Sequence, residues 1–140
     1  MSQVTIALDP GNSTGWVVRY GETLIGGTVG EKHSDVWELL KMWEPGIIVY
    51  ETFQMYPGKA QKLIWNTFYP CEVIGVIKLW VQLHPEVRIV GLQPSVKKYA
   101  LSNSEINLWR TVTGGIEWGS ITEHTRDAVR LLRYFERNMK

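Results

Sequence analysis

The feature that most constrains the fold is an apolar run that ends on an acid. Residues 4–8 (VTIAL) form a continuous, β-branched segment and predict a buried strand. Asp9-Pro10-Gly11 follows at once, and Pro-Gly is a strong turn signal. Asp9 therefore stands where the strand leaves the sheet. Three interpretations of this acid are open: an Asx turn, a phosphate-binding nest of backbone N–H groups, or the first ligand of a metal site.

The rest of the chain predicts strands first, then alternating helices and strands. A hairpin that turns at Tyr20-Gly21-Glu22 makes the first three strands an antiparallel meander. The later predicted elements are a helix over 34–43 capped by Ser34, strand 47–50, a helical pattern over 58–83 that Pro70 should kink or split, strand 87–90, a short helix over 94–100, and helix 123–136. This order predicts an α/β fold, with a five-stranded mixed sheet, antiparallel and then parallel, and helices on both faces.

Composition narrows the class of protein. The chain of 140 residues, 44% hydrophobic and 21% charged, is predicted to form one globular domain over 1–140. Because the net charge is only +1, a nucleic-acid partner would need local basic patches. Cys71 is the only cysteine, which excludes an intrachain disulfide and favours a reducing compartment. Without a secretory signal or a membrane-length apolar stretch, we expect a cytoplasmic protein without a membrane partner.

Three separate segments carry acids that could meet. The strand 47–50 also ends on an acid, Glu51, so neighbouring strands would bring Asp9 and Glu51 to one edge of the sheet. His124 and Asp127 are three positions apart in the last helix and share its buried face. Singly, each residue is explained by a turn, a helix cap or the helix dipole. Together, the mostly hard oxygen ligands favour a Mg²⁺ or Mn²⁺ site over a structural zinc site.

Four motifs along nearly the whole chain make the sequence recognisable. They are IALDPGNSTGW (6–16), IIVYE (47–51), LQPSVKKYA (92–100) and HTRDAVRLL (124–132). The sequence resembles the RuvC-like Holliday junction resolvases of the RNase H-like superfamily, especially the short phage and prophage type. The resemblance implies that Asp9, Glu51, His124 and Asp127 are the metal-binding catalytic residues.

The resemblance also implies an activity and partners. It implies a two-metal phosphodiesterase, with two Mg²⁺ or Mn²⁺ ions in each active site, acting on four-way DNA junctions in the host cytoplasm if the protein is phage-encoded. No small-molecule substrate is expected. The resemblance implies a homodimer with one active site for each DNA strand, and the apolar helix over 60–81 is its candidate interface.

Basic and aromatic residues supply candidate DNA contacts. The candidates are Lys97, Lys98, Lys59, Lys62, Phe53 and Tyr56. Lys97 and Lys98 match a basic position that the family uses near DNA, although a solvated helix face would also explain them. An aromatic residue after the second acid could enter the junction or simply pack under the loop.

The last helix carries a stripe of arginines. At 100° per residue, the stripe is predicted to lie opposite His124 and Asp127, and it consists of Arg126, Arg130, Arg133 and Arg137. A solvated face or a remote DNA contact is the expected role.

Other functions compete with a junction resolvase. A YqgF-type pre-rRNA processing nuclease shares the D-x-G-x-x-x-G start, although the HTRDA helix favours the resolvase. A nucleotide-binding domain of the actin and sugar-kinase type has a similar phosphate loop, but it needs two lobes and 140 residues hold one. A junction-binding module without catalysis is disfavoured by four intact ligand candidates.

Overall fold

The computed structural model describes residues 3–30, 32–53, 69–99 and 122–139. Its elements are β1 (Thr5–Asp9), β2 (Thr14–Tyr20), β3 (Thr23–Val29), α1 (His33–Trp43), β4 (Ile47–Glu51), α2 (Tyr69–Leu83), β5 (Arg88–Leu92), a 3₁₀ helix (Pro94–Tyr99) and α3 (Glu123–Asn138). None of the described helices is long and apolar enough to cross a membrane.

The five strands form one mixed sheet in the order β3-β2-β1-β4-β5. β1, β2 and β3 are antiparallel neighbours, whereas β4 runs parallel to both β1 and β5. β2 and β3 are joined by two residues, of which Gly21 has φ +61°. A positive φ at the first loop position is typical of a type II′ hairpin, which glycine adopts without strain. The predicted meander and the parallel strands after it are confirmed.

Helices cover both faces of the sheet, as predicted. Because side chains alternate along a strand, Ile6 and Leu8 face α1 and α2, whereas Ala7 faces α3. On the first face, Leu40 of α1 and Ile77 of α2 are fully buried. On the second face, the core consists of Ala7, Val17, Val49, Leu131 and Phe135, among others.

One helix start differs from the sequence prediction, and the start predicted near residue 58 lies outside the described residues. The helix predicted to be capped by Ser34 begins at His33, and Lys32 is its N-cap with no side-chain hydrogen bond. Pro70 lies in the first turn of α2, where its missing N–H costs no intrahelical hydrogen bond. The predicted kink within a longer helix depends on residues 58–68, which lie outside the described residues.

Helix α3 crosses β2, β1 and β4 and is attached at both ends. Thr122 is its N-cap and forms a capping box with Thr125, which satisfies backbone N–H groups that the first turn leaves unpaired. At the other end, Arg19 of β2 pairs with Glu136. The buried face of α3 between them lies over the sheet, so the first turn of α3 reaches the edge where β1 and β4 end.

Candidate active site

Asp9 and Glu51 meet because β1 and β4 are parallel neighbours in register. Leu8 pairs with Tyr50, so the next residue of each strand is an acid at the same edge of the sheet. Two residues before them, Ala7 and Val49 belong to the core under α3, and the alternation of side chains turns both acids to that face. Asp9 is buried, with 7% of its surface exposed.

The first turn of α3 supplies the other two predicted residues. His124 Nδ1 lies 3.1 Å from Asp9 Oδ2, and this contact links positions 115 residues apart. Asp127 lies one turn later, and its Oδ2 contacts Lys97 Nζ, which also contacts Glu51. The structure therefore brings Asp9, Glu51, His124 and Asp127 to one edge of the sheet.

Lys97 lies among these acids. Its Nζ is 2.8 Å from Glu51 Oε2 and 3.3 Å from Asp127 Oδ2. The first contact is an ion pair outside hydrogen-bond geometry, and the buried Glu51 Oε2 has no hydrogen-bond partner among the described residues. Burial alone would lower the pKa of Lys97, but the contact with Glu51 and the surrounding carboxylates outweigh burial and raise it. Lys97 is therefore a cation at neutral pH.

The cluster carries more negative charge than Lys97 and Arg130, which pairs with Asp127, can balance. Burial, a hydrogen bond with Glu51 and the negative charges of Glu51 and Asp127 raise the pKa of Asp9 to about 8, although Lys97 acts in the opposite direction. A carboxyl group that keeps its proton near neutral pH indicates that its ionised form lacks a counter-charge. A further cation would supply that charge.

The donor chemistry of the cluster fits a hard divalent cation. Carboxylate oxygens with one imidazole suit Mg²⁺ and, more so, Mn²⁺, and the Lys97 ammonium stands where positive charge is required. Within residues 3–30, 32–53, 69–99 and 122–139, however, no three His, Cys, Asp or Glu side chains have the spacing of a metal-binding group. Lys97 holds Glu51 and Asp127 in ion pairs instead, so metal binding would require those contacts to rearrange.

Arg130 contradicts the predicted arginine stripe. Its Nη1 donates to Asp127 Oδ1 at 2.7 Å and lies 3.6 Å from Glu123 Oε1, so Arg130 is beside the acid rather than opposite it. Positions 127 and 130 are about 60° apart around a helix, and a long guanidinium side chain spans that angle. Arg126 fits the prediction of a solvated face better, because it pairs with exposed Glu123 at 3.3 Å.

The predicted DNA contacts fall in different places. Lys97 is inside the carboxylate cluster, and Lys98 follows it in the 3₁₀ helix. Phe53 is partly buried against the core under α1 and α2, which favours the packing interpretation. Three predicted contacts, Lys59, Lys62 and Tyr56, lie outside the described residues.

The loop after β1 has a simpler role than its composition suggested. Asp9 contacts distant residues of the site, and the turn is closed by Thr14 Oγ1, which donates to Gly11 O at 3.4 Å. Gly15, at the start of β2, lies against α3, since a Cβ there would be 2.0 Å from the carbonyl of His124. Sequence reasoning missed Gly15, although a glycine opposite Asp9 in an otherwise apolar strand is the signal for such a close approach.

Comparison with known proteins identifies the fold. No protein-family model and no curated protein sequence matches the chain. Solved structures match over almost the whole length. Thermus thermophilus RuvC in complex with a Holliday junction substrate is 19% identical, with a TM-score of 0.62 over 96% of this chain and 95% of that chain.

A viral protein shows the same similarity. Fowlpox virus resolvase in complex with Holliday junction DNA is 12% identical, with a TM-score of 0.61 over 95% of this chain and 99% of that chain. Both matches agree with the five-stranded sheet and the two helical layers described above. The chain therefore shares the fold of these two structures, the RNase H-like α/β fold.

Proposed function

We propose that the chain is a divalent-metal-dependent endonuclease that resolves Holliday junctions or related branched DNA, and that residues 1–140 form a single nuclease domain. The observation that carries the proposal is the meeting of Asp9, Glu51, His124 and Asp127 at one edge of the sheet, around a cation. The RuvC and fowlpox virus structures that share the fold contain Holliday junction DNA.

The four residues are held in place by two different parts of the fold. Asp9 and Glu51 end paired strands, so their backbones are held rigidly by the ladder. His124 and Asp127 depend on how α3 is seated, and Arg130 fixes one carboxylate oxygen of Asp127. These four side chains would hold two Mg²⁺ or Mn²⁺ ions, which supply an activated water and stabilise the leaving oxygen of a phosphodiester.

Lys97 has two roles in this proposal. Without metal, it neutralises part of the charge on Glu51 and Asp127. When DNA is bound, the same ammonium is at the correct edge of the sheet to contact a phosphate. Lys98, Lys59 and Lys62 would extend the basic surface, which has to be local because the net charge is +1, and Phe53 or Tyr56 remains the candidate aromatic contact.

We further propose that the protein acts as a homodimer, because cutting two strands of a junction requires two active sites at a fixed separation. The exposed face of α2 supports this arrangement. Leu79 and Leu83 are one helical turn apart, 49% and 61% exposed, and an apolar stripe of this kind is stabilised by burial against a second copy. A monomer mass by light scattering at micromolar concentration, without DNA, would contradict the dimer.

The decisive experiment is cleavage of a synthetic four-way junction. Purified protein is incubated with the junction, a flayed duplex, a nicked duplex and structured RNA, each with Mg²⁺, Mn²⁺ or a chelator. We expect metal-dependent, paired cuts in the junction and much slower cutting of the other substrates. Asp9→Asn is the matched control for a contaminating nuclease. Preferential cutting of RNA would instead favour a pre-rRNA processing nuclease, and binding without cutting would favour a junction-binding module.

A further inference from the structure

Three threonine hydroxyl groups join β3 to the first turn of α3. Thr28 Oγ1 lies 2.9 Å from Thr122 Oγ1 and 3.0 Å from Thr125 Oγ1. Thr125 Oγ1 in turn donates to the Gly27 carbonyl at 2.9 Å. Thr125 is fully buried and Thr28 is partly buried. The contacts cross more than ninety positions of sequence, so they attach the helix to the sheet rather than cap it locally.

The hydrogen-bond directions of the cluster follow from one hydrogen per hydroxyl group. The Thr125 hydrogen is committed to the Gly27 carbonyl, which can only accept. Thr28 must therefore donate to Thr125, and Thr122 must donate to Thr28. The result is a directed chain from Thr122 through Thr28 and Thr125 to Gly27. Thr28 is its central member, because it accepts from one threonine of α3 and donates to the other.

Backbone groups of α3 are tied to the same hydroxyl groups. The N–H of His124 donates to Thr122 Oγ1 at 3.2 Å, and the N–H of Thr122 donates to Thr125 Oγ1 at 3.1 Å. The cluster therefore holds the backbone of His124, whose imidazole contacts Asp9. Asp127 follows His124 three positions later.

Gly15 limits the position of this turn from the opposite side. A Cβ at Gly15 would lie 2.0 Å from His124 C and O and 2.5 Å from Thr125 N, so β2 and α3 are in backbone contact there. Gly15 pairs with Asp9 in the sheet, and hence the close approach occurs beside the first acid. Gly15 permits the close contact between β2 and α3, and the threonine hydrogen bonds determine the position of α3 on the sheet.

We propose that Thr28 is a positioning residue of the active site, which sets the distance of His124 and Asp127 from Asp9 and Glu51. The inference rests on the proposed function for its catalytic consequence, but the seating of α3 can be measured without it. Outer partners that orient metal ligands typically change metal affinity or activity by about 10- to 100-fold when removed, so Thr28 should matter without touching metal or DNA.

The test compares four variants of the full chain. Thr28→Val keeps the shape and the strand preference of the side chain but removes the hydroxyl group. Thr28→Ser restores the hydroxyl group. Thr23→Val makes the same change at an exposed position of the same strand and controls for a general effect on β3. Thr122→Gly breaks the chain at its other member, and glycine caps a helix almost as well as threonine.

The first measurement is amide hydrogen exchange of the metal-free protein. In Thr28→Val we expect exchange at His124 and Arg126 to rise about tenfold, the effect of losing one hydrogen bond on local opening, while exchange at Phe135, at the far end of α3, stays unchanged. The second is a Mn²⁺ titration without DNA, in which the half-saturating concentration rises about tenfold. The third is junction cleavage, where kcat falls and KM for DNA stays the same. Thr28→Ser restores all three quantities, and Thr122→Gly shifts them in the same direction.

Two results would overturn the inference. One is Thr28→Val with wild-type exchange at His124 and wild-type Mn²⁺ half-saturation. The other is a uniform rise in exchange that includes Phe135 and that Thr28→Ser does not reverse, which would show a purely structural role. If the unaltered protein cuts no junction, the proposed function fails, while the exchange data still decide whether Thr28 seats α3. If Thr28→Val does not fold, Thr122→Gly decides in its place, and wild-type Mn²⁺ half-saturation in that variant would overturn the inference.

Discussion

The two ends of α3 are both joined to the sheet by charged groups, but the charges balance at only one end. At the C-terminal end, Arg19 holds Glu136 through two hydrogen bonds, of 2.9 Å from Nε and 3.1 Å from Nη2. At the N-terminal end, Lys97 is shared between Glu51 and Asp127, and Asp9 lies beside them. One end is a matched pair, whereas at the other end the carboxylates outnumber the cations that contact them, Lys97 and Arg130.

This difference separates a structural ion pair from a candidate functional one. The fork of an arginine matches both oxygens of one carboxylate, so the Arg19–Glu136 pair needs no other partner. The N-terminal cluster leaves a buried Glu51 oxygen without a hydrogen bond among the described residues and raises the pKa of Asp9. Such a cluster costs stability unless a cation binds. Variants at both ends can therefore test whether charge imbalance marks the active site.

The largest expected effect is on cleavage when a carboxylate of the cluster loses its charge. We expect Glu51→Gln to lower the junction cleavage rate by more than about a hundredfold, since a ligand should matter more than the outer partners that cost 10- to 100-fold. Circular dichroism should show a retained fold, and metal-free junction binding should persist. Glu136→Gln makes the same chemical change at the other end of α3 and should cut at the parental rate.

For the stability of the fold we expect the opposite order, with the larger effect from Glu136→Gln than from Glu51→Gln. Glu136→Gln should lower the free energy of unfolding by about 1–3 kcal/mol, between the values for exposed and for buried ion pairs, because both partners are largely buried. Glu51→Gln should leave stability unchanged or higher. Urea denaturation of the metal-free proteins measures both. Equal destabilisation by the two variants would remove the distinction between the ends.

Substitution of Lys97 tests whether its ammonium group and a metal ion bind the same carboxylates. In Lys97→Met we expect half-saturation at an about tenfold lower Mn²⁺ concentration, equivalent to 1.4 kcal/mol. The reason is that the Lys97 ammonium no longer competes with the metal ion for Glu51 and Asp127. Calorimetric titration without DNA is the measurement. Lys78→Met, on the exposed side of α2, controls for the lost charge. Weaker Mn²⁺ binding in Lys97→Met would show that Lys97 supports the metal site instead.

The pH dependence of stability should reveal the raised pKa of Asp9. Between its ordinary value of 3.8 and about 8, the folded protein binds a proton that the unfolded chain has lost, so stability falls as pH rises through this window. Glu51, Asp127, Lys97 and His124 are the charged or titratable groups that face Asp9. Asp9→Asn should therefore melt a few degrees higher than the parent at pH 8 and alike at pH 4, with a chelator present. The same melting difference at both pH values would contradict the assignment.

His124 should give the smallest effect, a change of metal preference. A neutral imidazole is a softer ligand than a carboxylate and favours Mn²⁺ over Mg²⁺. We expect His124→Asp to remain active and to move the ratio of Mn²⁺- to Mg²⁺-supported rates a few-fold toward Mg²⁺. Cleavage rates with each metal are the measurement. An unchanged ratio would mean that His124 contacts Asp9 without binding metal.

Local patterns determined the elements and the positions of two of the four site residues. The apolar runs that end on Asp9 and Glu51 became the paired strands β1 and β4, and the last helix was predicted to begin at Glu123, where it does. Such features depend on the periodicity of a few neighbouring residues, which the sequence contains in full. Bringing Asp9 and Glu51 together required only that the two strands be neighbours.

Only the tertiary structure shows which cations pair with the carboxylates of the site. That Lys97 lies between Glu51 and Asp127, and that Arg130 turns back to Asp127, depends on flexible side chains that choose among several charged partners. The helical-wheel prediction placed Arg130 wrongly because it uses the direction of Cβ and ignores the reach of the side chain. The position of His124 relative to Asp9 depends on Thr28 and Gly15, which are distant in sequence. Contacts of this kind are set by packing across the whole chain, and no local pattern encodes them.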